Sequence, residues 1–276
     1  MIVNAGYRGK VGEAVPKFTY TGQYNVRDDG VVELLTSGTI TFLNPAVIDV
    51  FMVGGGSSGR SGYTSPKFGC GGGAGGYTQT VRKFNAVANN GYAVTIGAGG
   101  SPNPLGNLHG NPGGSTSFGT FTVNGGSITP GNSSFISSGY SGGSGGGGGV
   151  SSNSGYGAGG SDGANGEQGY NSPNSIPGGN GQNSTTREFG EPTGKLYAGG
   201  GGGGRYISAQ TPVVSMGGHG GGGTGGWCGS GSAKKEATAG GANTGGGGGG
   251  GAVTSGSSYV NGAPGGSGIV CFRAAK

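Results

Sequence analysis

Two uninterrupted glycine runs, Gly199–Gly204 and Gly245–Gly251, constrain this chain more than any other feature. Glycine has no Cβ, costs a helix about 1 kcal/mol per residue relative to alanine, and gives a strand nothing to pack. Such runs belong either to disordered chain or to an ordered state held by backbone hydrogen bonds. Glycine supplies 79 of 276 residues, hydrophobic residues 30% and charged residues 9%. An ordinary globular domain has roughly 45–50% apolar and about 25% charged residues, so an aliphatic core cannot cover this length. Disorder usually couples low hydrophobicity to high net charge, but the net charge here is only +5. Tyr, Phe, Val and Ile recur between the glycine runs, unlike in Gly/Ser linkers. Order is the expectation.

Period-two alternation predicts strands over residues 17–53, as in Lys17–Thr21, Val31–Leu35, Gly38–Leu43 and Val47–Val53, with a turn at Asp28-Asp29-Gly30. One join then recurs: a β-branched or aromatic strand runs into glycine. It appears at Val53–Gly54, at Ile96–Gly97, at Val123 before Gly125, and at Ala198–Gly199. The chain closes on a strand after glycine, Gly268–Arg273. No segment has a 3.6-residue apolar period, so almost no α-helix is expected. For the glycine runs, collagen would need Gly at every third residue and abundant Pro, whereas Pro numbers only 12. The remaining ordered state is a bundle of polyproline-II helices, which have three residues per turn and no internal hydrogen bonds. Their N–H and C=O groups point outward and can bond to several neighbours. An interior helix then needs glycine almost everywhere, which suits Gly199–Gly204 and Gly245–Gly251. A boundary helix needs it at about one position in three, which suits Gly139–Ser144 and Gly155–Ser161.

The expected fold is all-β and irregular: a small, jelly-roll-like β-sandwich with an inserted bundle of glycine-rich polyproline-II helices. Residues 1–16 form an N-terminal attachment arm and 17–276 a single glycine-rich domain. The sandwich takes residues 17–53, 77–96, 115–124 and 268–273; the bundle takes 54–76, 97–114 and 125–267.

Sequence signals for chemistry fail one by one. GxGxxG recurs, but never between a strand and a helical pattern, so dinucleotide binding is unsupported. Gly139-Tyr140-Ser141-Gly142-Gly143 fits the hydrolase pattern G-x-S-x-G without its strand and helix. His109 and His219 have no carboxylate nearby in sequence, and the carboxylates form no paired acid/base constellation. Cys70, Cys228 and Cys271 show neither metal spacing nor complete pairing. The cations are scattered, and the cluster Lys234-Lys235 precedes Glu236, which reads as a solvated turn and not as a phosphate-tracking surface. No apolar run reaches the ~20 residues of a bilayer span, and the start lacks a signal-peptide pattern. These features predict no enzyme, cofactor, metal, nucleic-acid partner or membrane insertion, with synthesis in the cytoplasm.

Aromatic residues break the glycine runs at Tyr63, Phe68, Phe135, Tyr140, Tyr206, Trp227 and Tyr259. One role is to plug bundle edges; the other is to form a recognition surface, because Tyr and Trp on Ser/Gly/Asn-rich loops give rigid amphipathic contact area. Trp227 has little apolar sequence around it. Arg205–Pro212 and Thr64–Phe68 are glycine-free inserts of mixed chemistry and are the favoured binding loops.

The order of several elements resembles glycine-rich proteins of tailed phages and prophages. These are Asp49–Gly56, Gly71–Thr78, Val94–Gly100, Thr185–Glu191 and Gly265–Val270. The resemblance implies a tail-fibre tip adhesin that binds a bacterial surface receptor, a glycan or outer protein, through distal loops. It also implies a virion location, contacts with other tail or fibre proteins, and a homotrimer as one oligomeric state. Cys271 stands where a β-branched residue is common, which implies buried small-residue packing. A more distant likeness is to the glycine-rich domain of animal receptor kinases. Two further functions stay open: a purely structural tail tip, cap or fibre joint, and an ice-binding polyproline-II face.

Overall fold

The computed structural model describes residues 15–61, 68–103, 109–129, 139–149, 186–206, 215–229, 233–254 and 259–276. The chain opens with strands β1 (Phe18–Tyr20), β2 (Tyr24–Val26), β3 (Val32–Leu34), β4 (Gly38–Phe42) and β5 (Ala46–Val53). After the dipeptide β6 (Phe68–Gly69) come β7 (Thr78–Ala86), β8 (Gly91–Thr95), β9 (Thr116–Phe118) and β10 (Phe121–Val123). Five more dipeptides follow: β11 (Arg205–Tyr206), β12 (Trp227–Cys228), β13 (Lys234–Lys235), β14 (Ala252–Val253) and β15 (Tyr259–Val260). The last strand is β16 (Ile269–Ala274). The helical assignments among the described residues are 3₁₀ only, at Thr186 and at Glu188–Gly190.

Two five-stranded antiparallel sheets, ordered β1-β4-β8-β9-β10 and β2-β3-β16-β5-β7, form the sandwich. Alternation along β5 explains its place. Ile48, Val50 and Met52 enter the core between the sheets with Val270 and Phe272, meeting Ile40, Phe42, Val94 and Phe118. Phe272 is central there, its ring edge-on to Phe18 at 5.3 Å and to Phe42 at 5.6 Å. Phe51 and Val53 point to the opposite face and join a second cluster with Phe189, Tyr197, Ile269 and Cys271. The closing strand β16 lies between β3 and β5, so the chain's last residues complete the middle of a sheet.

The described glycine segments that continue sandwich strands leave the sandwich from one end. Val53, the last residue of β5, pairs with both Thr78 and Ile269, so three strands stop at one level. From there residues 54–60 bond with a strict period of three. Gly54, Ser57 and Arg60 donate N–H groups to the carbonyls of Tyr77, Ala74 and Gly71. Gly55 and Ser58 donate to Gly114 and Asn111, and Gly56 and Gly59 donate to Gly266 and Ala263. Three residues per turn is the repeat of polyproline II, and each step of three meets the same antiparallel neighbour.

Residues 245–251 occupy the middle of the bundle. They donate to Gly199 and Gly202, to Ser57 and Arg60, to Thr238 and to Ser267. They accept from Cys70, Gly73 and Gly76, from Gly223 and Gly226, and from Ala263 and Gly266. No side chain fits such a site. A Cβ on Gly247 would lie 2.1 Å from the Gly73 oxygen, and one on Gly249 would lie 1.8 Å from the Thr224 oxygen. At two buried positions a serine hydroxyl does a carbonyl's work: the Ser57 and Ser58 Oγ atoms accept from the Ala74 and Asn111 N–H groups, both at 2.8 Å.

The all-β expectation holds: the strands of the two five-stranded sheets run between Phe18 and Val53, between Thr78 and Thr95, between Thr116 and Val123, and from Ile269 to Ala274. Two local expectations do not. Lys195–Ala198 is not a strand; Leu196 forms a single bridge with Arg187, closing a loop against the sandwich. Lys234-Lys235 is not a turn but an exposed edge strand beside Trp227 and Cys228.

Candidate functional site

The end of the bundle remote from the sandwich gathers the dipeptide strands. The sheets β11-β12-β13 and β15-β14-β6 lie against one another there, with β14 touching both β11 and β12. Residues 61, 206, 229 and 254 are the last described positions of segments running to this end, and 68, 215, 233 and 259 are the first of the returning ones. The sequence inserts between them all start and finish at this face. Tyr259 is exposed and Tyr206 half-buried, with Met216 exposed nearby in sequence.

Other predicted receptor residues fall differently. Tyr63 and Phe135 lie outside the described residues, as do most of Arg205–Pro212 and Thr64–Phe68; for Phe68 only the backbone, paired with Val253, is described. Tyr140 and Trp227 are buried, at 0% and 1% exposure, and so offer no contact surface. For Trp227 the expectation of a poorly covered ring is corrected. Its strand is flanked by β11 and β13 and lies over β14 and β15, and the residue is 1% exposed. Tyr140 plugs the bundle: the Arg60 guanidinium sits 4.6 Å above its ring and the Gly110 N–H donates to its hydroxyl at 2.7 Å. Burial pushes the Tyr140 hydroxyl up and the Arg60 guanidinium down from their ordinary pKa values.

A second site, absent from the sequence expectations, lies on the flank of the sandwich. Residues 186–197 cover the outer face of the β5–β16 sheet, and a cleft of about 420 Å³ opens beside them, lined among others by Arg27, Asp29, Glu191, Lys195 and Lys276. Its walls are an ion network. Arg27 holds Glu188 through two bonds of 2.6 and 3.0 Å, Asp29 at 2.8 Å and Glu33 at 3.3 Å. Arg273 holds Glu191 through bonds of 2.6 and 2.9 Å and reaches Asp49 at 3.5 Å. A register shift in the β5–β7 pair, with Lys83 at φ 51°, turns the Lys83 N–H and the Arg82 guanidinium onto the Asp49 carboxylate. Phe189 also has a positive φ of 53°, rare for a bulky residue. Its ring lies 4.1 Å beneath Arg273 and its carbonyl accepts from Arg82.

The electrostatics of this flank run one way. Hydrogen bonds from Arg273 hold Glu191 down at about 2 despite burial. Burial alone would raise Asp49, but the Lys83 N–H, Arg82 and Arg273 together lower it. Asp29 is lowered in the same manner by Arg27 and the Val31 N–H. A general acid working near neutrality needs a raised carboxyl, the reverse of each of these shifts. Beneath the network, burial drives the Tyr197 hydroxyl well up, and it donates to Glu188 at 3.1 Å. The geometry clamps residues 186–197 to the sandwich and fixes the start of the 198–204 glycine segment.

Fold and site together define a two-part, all-β protein: an antiparallel sandwich that roots a hydrogen-bonded glycine bundle. The family model of the glycine-rich domain matches residues 35–275, and the chain belongs to that family. No curated protein matches it in sequence. Among the described residues no helix is long and apolar enough to cross a membrane, and no group of three or more His, Cys, Asp or Glu side chains could hold a metal ion.

Proposed function

We propose that this protein is a receptor-binding component of a phage tail, an adhesin that recognises a bacterial surface receptor through the loops at the far end of its glycine bundle. One observation carries this reading. In the bundle interior a Cβ meets a backbone oxygen near 2 Å at site after site, as at Gly201, Gly248 and Gly250. Most side chains are therefore kept out of the glycine segments, whereas the inserts 62–67, 207–214, 230–232 and 255–258 are each flanked by described residues at one face. Rigid segments holding chemically varied loops at one pole form a binding platform, with Tyr206 and Tyr259 as its described aromatic contacts. The ligand class is a glycan or outer protein of the host surface.

The test compares purified wild type with the Tyr206→Ser and Tyr259→Ser variants for adsorption to host cells, alongside thermal melts. The reading expects adsorption of the folded protein to fall at least about tenfold, as for loss of an interface hot spot, with the melting temperature unchanged for Tyr259→Ser and lowered for Tyr206→Ser, whose ring packs on the Cys228–Ala252–Val260 cluster. Normal adsorption by both variants would leave a structural role, as a tail tip, cap or fibre joint, in its place.

A further inference from the structure

Charged residues are scarce in this chain, 15 Lys and Arg and 10 Asp and Glu, yet five of each kind converge on the sandwich flank. Exposed ion pairs add little stability, and buried ones no more than packed apolar side chains of the same volume. Stability alone therefore does not account for half of all carboxylates meeting beside one cleft. At about 420 Å³ the cleft falls within the roughly 300–1,000 Å³ of small-molecule sites. Such sites are mostly apolar. This one is not, and Val31, the aliphatic side chain of its lining, is 3% exposed.

The charges choose the ligand. Five cations meet five carboxylates, and the two lysines of the cleft already have partners, Lys195 in Glu33 at 3.5 Å and Lys276 in Glu191 at 3.3 Å. An anion or an amine would have to break such a pair, and an apolar ligand would desolvate the walls without return. A neutral hydroxyl does neither, because it donates and accepts at once. The ion pairs leave room for it. Lys195 and Lys276 are 50% and 64% exposed, and each ammonium carries three N–H donors. Asp29 is 59% exposed beyond its bonds from Arg27 and the Val31 N–H. Thr193 adds an exposed hydroxyl on the turn that the Gly194 N–H closes onto the Glu191 carbonyl. Hydrogen bonds to ionised groups are the stronger kind, and Glu191 and Asp29, both with lowered pKa values, stay ionised at neutral pH.

We infer that this cleft binds a small neutral polyol, a sugar ring or a compound of that size with several adjacent hydroxyls. Those hydroxyls donate to the Asp29 and Glu191 carboxylates and accept from the Lys195 and Lys276 ammonium groups, and no ion pair is broken. The site is separate from the far-end loops and does not depend on the adhesin reading.

The isotope-labelled full chain is titrated, with amide NMR as readout, against the methyl glycosides of glucose, galactose, mannose and rhamnose and against myo-inositol. Inorganic phosphate and methylammonium serve as charged probes. The expected result is a saturable shift of the Thr193, Gly194 and Lys195 amides with a neutral probe, at a dissociation constant of about 1–10 mM. Thr193→Trp fills the cleft from an exposed turn and removes no member of an ion pair. It should weaken binding at least about tenfold, with the melting temperature unchanged. An oligosaccharide of the bound sugar that binds more tightly assigns a unit of a longer chain, and equal binding assigns a free compound; both uphold the site. The inference is overturned if no neutral probe shifts these amides, if Thr193→Trp binds as well as the wild type, or if phosphate or methylammonium shifts them at lower concentration. Loss of binding in Tyr259→Ser also overturns it, because the sugar then sits on the loops.

Discussion

Replacing Gly248 with alanine tests the interlocked bundle at its centre. The new Cβ would lie 2.0 Å from the Ala263 oxygen, 2.5 Å from the Pro264 oxygen and 2.8 Å from the Ala263 carbonyl carbon. All are backbone atoms, so no side-chain rotation relieves the overlap. Restoring ordinary contact requires residues 263–264 to recede by roughly 1.4 Å. That displacement breaks the Ala263–Gly249, Gly59–Ala263 and Gly240–Pro264 hydrogen bonds, each 2.9 Å long in the native bundle. A buried bond whose partners are left unsatisfied costs about 1–3 kcal/mol, so three cost on the order of 3–9 kcal/mol. Alanine's smaller unfolded-state entropy returns only about 0.4–1 kcal/mol. The net loss is a large part of a domain's typical ~5–15 kcal/mol and corresponds to a melting temperature lower by roughly 10 °C. Gly91→Ala is the control: its Cβ would meet only side-chain atoms, Thr39 Cγ2 at 3.2 Å and Thr41 Oγ1 at 3.8 Å, and its stability should stay within about 0.5 kcal/mol of wild type. Thermal and denaturant melts read both. A Gly248→Ala variant as stable as Gly91→Ala would refute the argument from backbone crowding.

Two further outcomes follow from the same geometry. Glu191, held at about 2, and Asp49 and Asp29, also lowered, stabilise the fold above their unfolded pKa values near 4 and lose that contribution as pH falls through the folded ones. Melts should therefore be level from about pH 5 to 7 and fall steadily below about pH 4.5; a level profile down to pH 2.5 would contradict the ion clamp. Cys70, Cys228 and Cys271 are fully buried, and burial raises their thiols to about 12, to about 11 and well above 9 respectively. Maleimide should label none of them in the native protein and all three in denaturant; rapid native labelling would show that the bundle opens.

The legible parts of the sequence were those whose signal is local. Ile48, Val50 and Met52 alternate with Asp49, Phe51 and Val53, and that period alone places β5 between two apolar layers. Gly245–Gly251 advertises an interior segment because any side chain would have broken the run. The flank site was not legible, since Arg27 meets Glu188 across 161 positions and Arg273 meets Glu191 across 82. Nothing near Glu188 or Glu191 in sequence marks a partner; the one available hint was a run of charges, Arg187, Glu188 and Glu191, in a chain that has few. Trp227 and Tyr140 misled because burial was judged by apolar neighbours in sequence, whereas Trp227 lies between paired strands and Tyr140 beneath the Arg60 guanidinium. Dipeptide strands such as β12 and β14 are too short for any period to show, and they owe their existence to segments that the bundle already holds in place.

If the glycine runs form a fixed scaffold, native-state hydrogen exchange of residues 245–251 will show it. Apart from Gly246, whose N–H meets the Thr244 hydroxyl, each of these amides donates to the carbonyl of a neighbouring segment, and all seven residues are buried. Exchange should be as slow as that of β5 and β16, and all of these amides should open together in global unfolding. Exchange of this run at the rate of an unstructured glycine peptide, while β5 and β16 stay protected, would contradict such a scaffold.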